Sequence, residues 1–406
     1  MNGKRLLIIG IILLFIAIVT TIFIIIFTKG KEEEPKKEEN KQTEPINVEL
    51  EYNLNLDFLK LEYKNNNVLY SPLSIKKGLD LLKEGANNDT LTQLTKISDN
   101  SNYKITDVKE KIGISNAIFV HETYKNVINK DYITNLQKKY NSNVFYDNFN
   151  TPNTVNDYVK EKTFNMIPKL FDNLSGSKVV LVNALAIDLD WTYNFDYEST
   201  YKRTFYGNKE TKVDMMSNVF KNNNIKYYKD QNINMISLPL ETIEGTSLEY
   251  IAIMPNDLNS YISALKLETL NKDIDKLISG KNKYVKVLLP KYKINYELNF
   301  KSDLLELGLT DMFDPNKADF TKISDTGLYI DQAKHKAVFE TSEKGIKAAA
   351  ATGFTMKENA MIEEKKPDIE IEFNKPFIYL VRDTKTKTIW FVGTLVNPNS
   401  GDKNES

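Results

Sequence analysis

Apolar positions along this chain fall into three patterns, each predicting a different kind of element. The first is a continuous uncharged, mainly apolar run from Leu6 to Phe27, entered through Lys4 and Arg5. As a helix it spans about 33 Å at 1.5 Å per residue, enough for a hydrocarbon core. It is expected to be a transmembrane signal-anchor following a short tail, residues 1–5. A cleaved signal peptide is the competing reading, with Thr28 and Gly30 offering a small-residue cleavage site. The basic start favours an N-inside orientation with the C-terminus outside, although Lys29, Lys31, Lys36 and Lys37 oppose it. Residues 28–45 are rich in Glu and Lys, with two prolines and no aromatic residue, and read as a solvated tether.

The second pattern is helical spacing. Ile75, Leu79 and Leu82 fall on one face of a helix expected from Ser74 to Glu84, stopped by Gly85. Val155, Tyr158, Val159 and Met166 place another from Thr154 to Leu170. The third pattern belongs to strands. Val179–Ile187 is nearly all apolar, as a strand buried on both faces requires. Leu248–Met254 and Val285–Leu289 are strands closed by prolines, and Ile378–Val381 with Ile389–Val396 makes a final hairpin around Asp383–Lys387. Helices come first and strands dominate later, which predicts an α+β fold rather than repeating βαβ units. Residues 46–398 contain no further linker or repeat and read as one domain of about 350 residues. Residues 399–406 form a polar tail.

One segment satisfies two patterns at once. Four consecutive alanines, Ala348, Ala349, Ala350 and Ala351, favour a helix when taken alone. Yet Ile346, Ala348, Ala350, Thr352, Phe354 and Met356 share one parity, while Lys347, Ala349, Ala351, Gly353, Thr355 and Lys357 share the other. Such alternation suits a strand with one buried face, built from the small side chains of a loop.

Composition mainly excludes. The net charge is −1, with 54 basic and 55 acidic residues, so no global field points to nucleic acid. The absence of cysteine removes disulfides, thiolate metal sites, thiol nucleophiles and a lipoprotein anchor. The only histidines are His121 and His335, and any zinc or Ser-His-Asp chemistry would have to rest on them. No cofactor, no metal and no enzymatic activity are expected. His121 is expected at the surface.

Several separate motifs carry a family resemblance. Glu343, Gly345 and Ala348–Ala351 followed by Thr352 come first, then Phe373-Asn374-Lys375-Pro376-Phe377, Phe391-Val392-Gly393 and Asn397-Pro398. Upstream lie Ser71-Pro72-Leu73-Ser74-Ile75, Leu181-Val182-Asn183-Ala184 with Trp191 and Phe195, and Leu289-Pro290-Lys291-Tyr292. Leu307-Gly308-Leu309, Ala318-Asp319-Phe320 and His335-Lys336-Ala337 follow in order. The set resembles the serpins, of the inhibitory type, and the N-terminal run suits a bacterial-like, membrane-anchored member.

That resemblance implies helices packed around a large central mixed or antiparallel sheet, plus smaller sheets and an exposed reactive loop. It implies a suicide-substrate inhibitor of serine, and with Asn359 also cysteine, endopeptidases, a monomer forming a covalent acyl complex with its target protease. A non-inhibitory serpin acting as a surface binding or structural protein is the alternative. The loop hinge would comprise Glu343, Gly345, Ile346, Ala348, Ala349, Ala350, Ala351 and Thr352. Ile346 departs from the family's threonine or serine. Ser71, Ser74, Asn183 and His335 would form the polar shutter beneath the sheet, and Trp191, Lys291 and Glu343 the breach at its top. Counting from Glu343 places the scissile bond at Asn359-Ala360. The long span to Phe373 leaves Lys357-Glu358 and Met361-Ile362 open as alternatives. With the anchor retained, the inhibitory domain would lie outside the cell membrane; with it cleaved, the protein would be secreted.

Overall fold

The computed structural model describes residues 53–98, 108, 110–221, 224–280, 284–347 and 366–398. The chain divides into two units, residues 1–47 and 48–406, and the described residues lie in the second. The apolar run 6–27, the tether 28–45, the tail 399–406 and residues 348–365 lie outside the described residues. The last of these segments holds Ala348–Ala351, Thr352, Asn359 and Ala360.

A short helix, Asp57–Glu62, leads to strand β1 (Val68–Tyr70) and then the helix Pro72–Gly85. This helix begins two residues earlier than its apolar spacing suggests. Ser71 caps it, its Oγ accepting from Ser74 N at 3.1 Å, and Pro72 occupies the first turn, where a missing N–H costs nothing. Gly85 is its last residue rather than a stop after it. A Cβ there would lie 2.3 Å from Ile323 Cγ1, so glycine permits close packing.

The helices Asn88–Thr95, Lys130–Tyr140 and Asn153–Lys162 interleave with β2 (Ile112–His121), β3 (Val144–Asp147), β4 (Val179–Ile187) and β5 (Leu189–Asp190). The expected helix Thr154–Leu170 therefore ends eight residues early, at Lys162. Phe164 and Asn165 turn left-handed, with φ of 52° and 65°. Thr163 Oγ1 binds back to Val159 O and accepts from Ile167 N. Met166, Ile167 and Leu170 still reach the same core, which is why their spacing imitated a helix.

A run of strands follows: β6 (Asp196–Tyr206), β7 (Glu210–Phe220), β8 (Lys226–Lys229), β9 (Ile233–Ile243) and β10 (Thr246–Pro255). After the helices Leu258–Ala264 and Leu267–Ile278 come β11 (Val285–Pro290) and β12 (Lys293–Glu297), then the helix Phe300–Glu306. The chain closes with β13 (Gln332–Thr341), β14 (Gly345–Lys347), β15 (Ile369–Glu372), β16 (Phe377–Asp383) and β17 (Ile389–Leu395). The expected final hairpin is β16–β17.

These strands form a six-stranded sheet, β1-β17-β16-β10-β9-β8, and a four-stranded sheet, β15-β11-β7-β6. The third sheet has seven strands, β3-β2-β4-β13-β14-β5, with β12 on β13. Every residue of β4 is buried, because the Asn153–Lys162 helix covers one face and the main core the other. An aromatic group, Tyr250, Tyr292, Phe339 and Tyr379, ties the six- and seven-stranded sheets together, with Phe339 and Tyr379 centroids 5.0 Å apart. The fold is α+β, as the element order implies.

The seven-stranded sheet is not uniformly paired. β4 and β13 are parallel neighbours from Val180/Gln332 to Leu185/Ala337. Beyond that point they part, and β14 takes the space between β13 and β5. The central sheet is closed in its middle and forked at one end.

Candidate functional site

At the closed part, Asn183 on β4 stands opposite His335 on β13. Both are fully buried. Ser71 N donates to His335 Nε2 at 3.0 Å, so the imidazole carries its proton on Nδ1 and donates it to Asn183 Oδ1. Asn183 Nδ2 in turn donates to Ser74 O and to Asn116 Oδ1. Gly78 makes room for this amide, since a Cβ there would meet Asn183 Nδ2 at 3.0 Å. The result is a polar relay from the N-terminus of the Pro72–Gly85 helix through β13 and β4 to β2.

Burial pushes the His335 imidazole down to about 3 from its ordinary 6.5, so it is neutral at physiological pH. The relay is not saturated. Ser74 Oγ and Asn116 Nδ2 are buried without a partner among the described residues. Each such group costs roughly 1–3 kcal/mol, so the closed arrangement is less favourable than full pairing would make it.

At the fork, Glu343 is 2% exposed and receives Lys291 Nζ on both carboxylate oxygens, at 3.0 and 2.9 Å. Thr200 Oγ1 adds a third bond at 2.9 Å. Trp191 holds the preceding turn from two sides: its indole N–H donates to Ser342 O and its backbone N–H to Lys344 O, each at 2.8 Å. Phe195 N donates to Glu343 O. Trp191 is itself packed edge-on against Tyr250, 5.5 Å between centroids. The chain therefore enters β14 from a rigid corner.

Gly345 and Ile346 pair with Asp190 and Leu189 on one side, while Ile346 and Lys347 pair with Thr341 and Glu340 on the other. Ile346 is 1% exposed. Only glycine fits at 345, where a Cβ would fall 2.1 Å from Leu189 O.

The sequence-derived cluster Ser71, Ser74, Asn183 and His335 is thus one contiguous group, as is Trp191, Lys291 and Glu343. Ala348–Ala351, Thr352, Asn359 and Ala360 are outside the described residues. His121 is partly exposed and caps a single turn, its Nδ1 accepting from Thr123 N. Two contributors escaped the sequence reading. Asn116 interrupts the apolar strand β2, and that polar break in an apolar run was its signal. Thr200 lies in a polar, largely exposed strand and offers none.

The central sheet is thus joined by polar bonds in its middle and takes up Gly345–Lys347 as β14 at its forked end. The family model described as serpin (serine protease inhibitor) matches residues 51–398. The chain belongs to the serpin family, whose members are generally protease inhibitors. It is 28% identical over 384 residues to a serine protease inhibitor of Mus musculus, covering 87% of this chain and 88% of that one. The crystal structure of the thermophilic serpin tengpin in its native state matches with a TM-score of 0.71 at 28% identity, covering 85% of this chain and 92% of that one. Uncleaved ovalbumin matches in fold, with a TM-score of 0.71 at 21% identity over 85% of this chain and 99% of that one.

Proposed function

We propose that this protein is a one-use inhibitor of endopeptidases that traps its target by inserting its reactive loop into the central sheet. The supporting observation is the seat of Gly345 and Ile346 between β13 and β5. It is continuous in sequence with the small residues Ala348–Ala351 and Thr352, and Phe354 and Met356 beyond them share the parity of Ile346, as one face of an entering strand requires. A serine protease's hydroxyl attacks the Asn359 carbonyl, the bond to Ala360 breaks, and the departing amine takes the proton. The ester joining Asn359 to the protease then persists if insertion outruns its hydrolysis.

For that race the parting of β4 from β13 is the barrier, and new ladder bonds are the driving force. About a dozen of them at roughly 0.5–1.5 kcal/mol each give on the order of 10 kcal/mol. Phe354 and Met356 add about 1.5–3 kcal/mol apiece if buried. Ile346, although β-branched and apolar where serpins favour threonine or serine, suits this role because it is accommodated at the fork without a polar group to satisfy.

In this reading the protein acts as a monomer against a protease, with Leu6–Phe27 anchoring it and the inhibitory domain outside the cell membrane. The test is incubation with a panel of serine and cysteine proteases. A detergent-stable complex, with the released C-terminal peptide beginning at Ala360, is the expected result. Clean cleavage without a complex for every protease, or binding without cleavage, would favour the non-inhibitory alternative.

A further inference from the structure

An open cleft of about 500 Å³ lies between the link from β5 to β6 and the end of β7. β6 pairs with β7 no further than Asp196/Ser217, so residues 218–220 have β11 on one side and no strand on the other among the described residues. Asn218 closes that edge itself. Its Nδ2 donates to Asn194 O at 2.6 Å and its Oδ1 accepts from Val219 N at 2.7 Å. The edge therefore offers no free N–H at Val219 to an added peptide strand. Trp191 and Phe220, both buried, give the cleft an apolar floor, and Phe195 packs against both rings at centroid separations of 6.2 and 5.5 Å.

The rim is polar and its charges cancel. Asp190 and Lys221 are the charged side chains that line it, one of each sign, and Asp190 already faces Lys344 at 3.4 Å. That balance favours a neutral ligand over an ion. The side-chain amides of Asn194 and Asn224 make no hydrogen bond among the described residues, and each presents a donor beside an acceptor. Tyr193, 40% exposed, adds an aromatic ring. Such a ring gains little from folding, but it can take the C–H face of a sugar while neighbouring amides bond the hydroxyls.

We propose that this cleft binds a neutral oligosaccharide, with one sugar ring stacked on Tyr193 and its hydroxyls bonded to Asn194 and Asn224. Amides suit adjacent hydroxyls because each hydroxyl both donates and accepts, as each amide does. The site is formed before any ligand arrives. Thr192 Oγ1 donates to Leu240 O and Thr192 N to Pro239 O, each at 2.9 Å, which fixes the link that carries Tyr193 and Asn194. Asp190 pairs with Gly345, so a bound glycan lies beside the start of β14. The cleft would hold the protein against a carbohydrate-bearing surface by the edge from which β14 continues. Binding itself does not depend on the trapping mechanism proposed above.

Titration of the full-length protein with the hexasaccharides of cellulose, chitin, amylose and β-mannan tests this, with a heparin hexasaccharide as the anionic comparison. The chain has two tryptophans, and Trp191 floors the cleft, so binding is read as a saturable change in tryptophan emission and checked by calorimetry. At least one neutral hexasaccharide is expected to bind, with little dependence on salt and no competition from heparin. Tyr193→Ala should weaken that binding about tenfold and Tyr193→Phe far less, since the ring does the stacking. Asn194→Ala and Asn224→Ala should each weaken it about fivefold. Tyr206→Ala should leave it unchanged, because that equally exposed ring ends β6 away from the cleft. No binding of any neutral hexasaccharide into the millimolar range, or full affinity in Tyr193→Ala and Asn224→Ala, would overturn the site. Displacement by heparin would overturn the choice of a neutral ligand. Absence of covalent protease complexes would count against the inhibitory function and leave this result standing.

Discussion

His335 Nδ1 donates to Asn183 Oδ1 across the parallel pair β13–β4, two residues before the last directly paired residues, Ala337 and Leu185. The bond joins two neutral groups, so water or another polar partner can replace either half of it. An apolar plug in that position would have to be unpacked instead.

Its dependence on pH has a definite sign. In the folded protein burial holds the imidazole down to about 3, while in the unfolded chain it titrates near 6.5. Between those values the unfolded state takes up a proton that the native state refuses, so stability falls as pH falls. The contribution is fully present above pH 6.5 and is lost at about 1.4 kcal/mol per unit toward pH 3. Wild type should therefore show an extra loss of stability between pH 6.5 and 5 that His335→Gln lacks. Denaturant unfolding of both proteins across that range is the measurement, and parallel pH profiles would refute the assignment.

The relay predicts an order among substitutions. Asn183→Ala strands the His335 Nδ1 donor and Asn116 Oδ1 together, and should cost about 2–6 kcal/mol, at roughly 1–3 kcal/mol for each buried group. Asn116→Ala leaves Asn183 Nδ2 still bonded to Ser74 O and removes an amide group that has no partner among the described residues, so it should cost less, about 1 kcal/mol. Polymerisation on mild heating should begin at a lower temperature in Asn183→Ala than in Asn116→Ala. The reverse order would show that Asn116, not Asn183, is the centre of the relay.

Sequence and structure part company at particular places. Ser71, Ser74, Asn183 and His335 are legible through family motifs, and the burial of β4 through its unbroken apolar run. The fork is not legible, because it depends on where β13 stops following β4, and no local pattern encodes that register. Pairing of Ile346 with Leu189 and Thr341 follows from the fork, so parity gives the buried side chain but not its partners. The early end of the Asn153–Lys162 helix is hidden for a related reason: irregular backbone delivers Met166, Ile167 and Leu170 to the core at helix-like intervals.

At the fork the ion pair is asymmetric, and this decides which half matters. Lys291 has a side chain 38% exposed, whereas that of Glu343 is 3% exposed. Lys291→Ala leaves a buried carboxylate with only Thr200 as a side-chain partner among the described residues and should destabilise by about 1–3 kcal/mol, below the range for fully buried pairs because water reaches the lysine side. Lys291→Ala combined with Glu343→Gln should recover part of that loss, since the uncompensated charge is then gone. Chemical denaturation of the single and double variants measures it. A double variant less stable than Lys291→Ala would mean that the carboxylate is not held mainly by the lysine.

Metastability is the sharpest consequence of a strand seated at its first residues only. Gly345–Lys347 already lie between β13 and β5, but from Val180/Gln332 to Leu185/Ala337 β4 and β13 pair directly, with no strand between them. If Ala348, Ala350, Thr352, Phe354 and Met356 continue the strand once released, the uncut protein is not in its lowest free-energy state. A cut anywhere between Met356 and Pro367 removes the tether to β15 and frees them to enter, without any trapped protease. The two-chain product should then melt at a much higher temperature than the intact chain, although a nick ordinarily destabilises a protein. Replacing Ala350 by Arg should abolish most of that rise, because a charge would enter the sheet's buried face at a cost of several kcal/mol. The measurement is a thermal melt before and after limited proteolysis, with the cut mapped by mass. A melting temperature that stays put or falls after a cut in that window would remove the insertion mechanism and leave the fold alone.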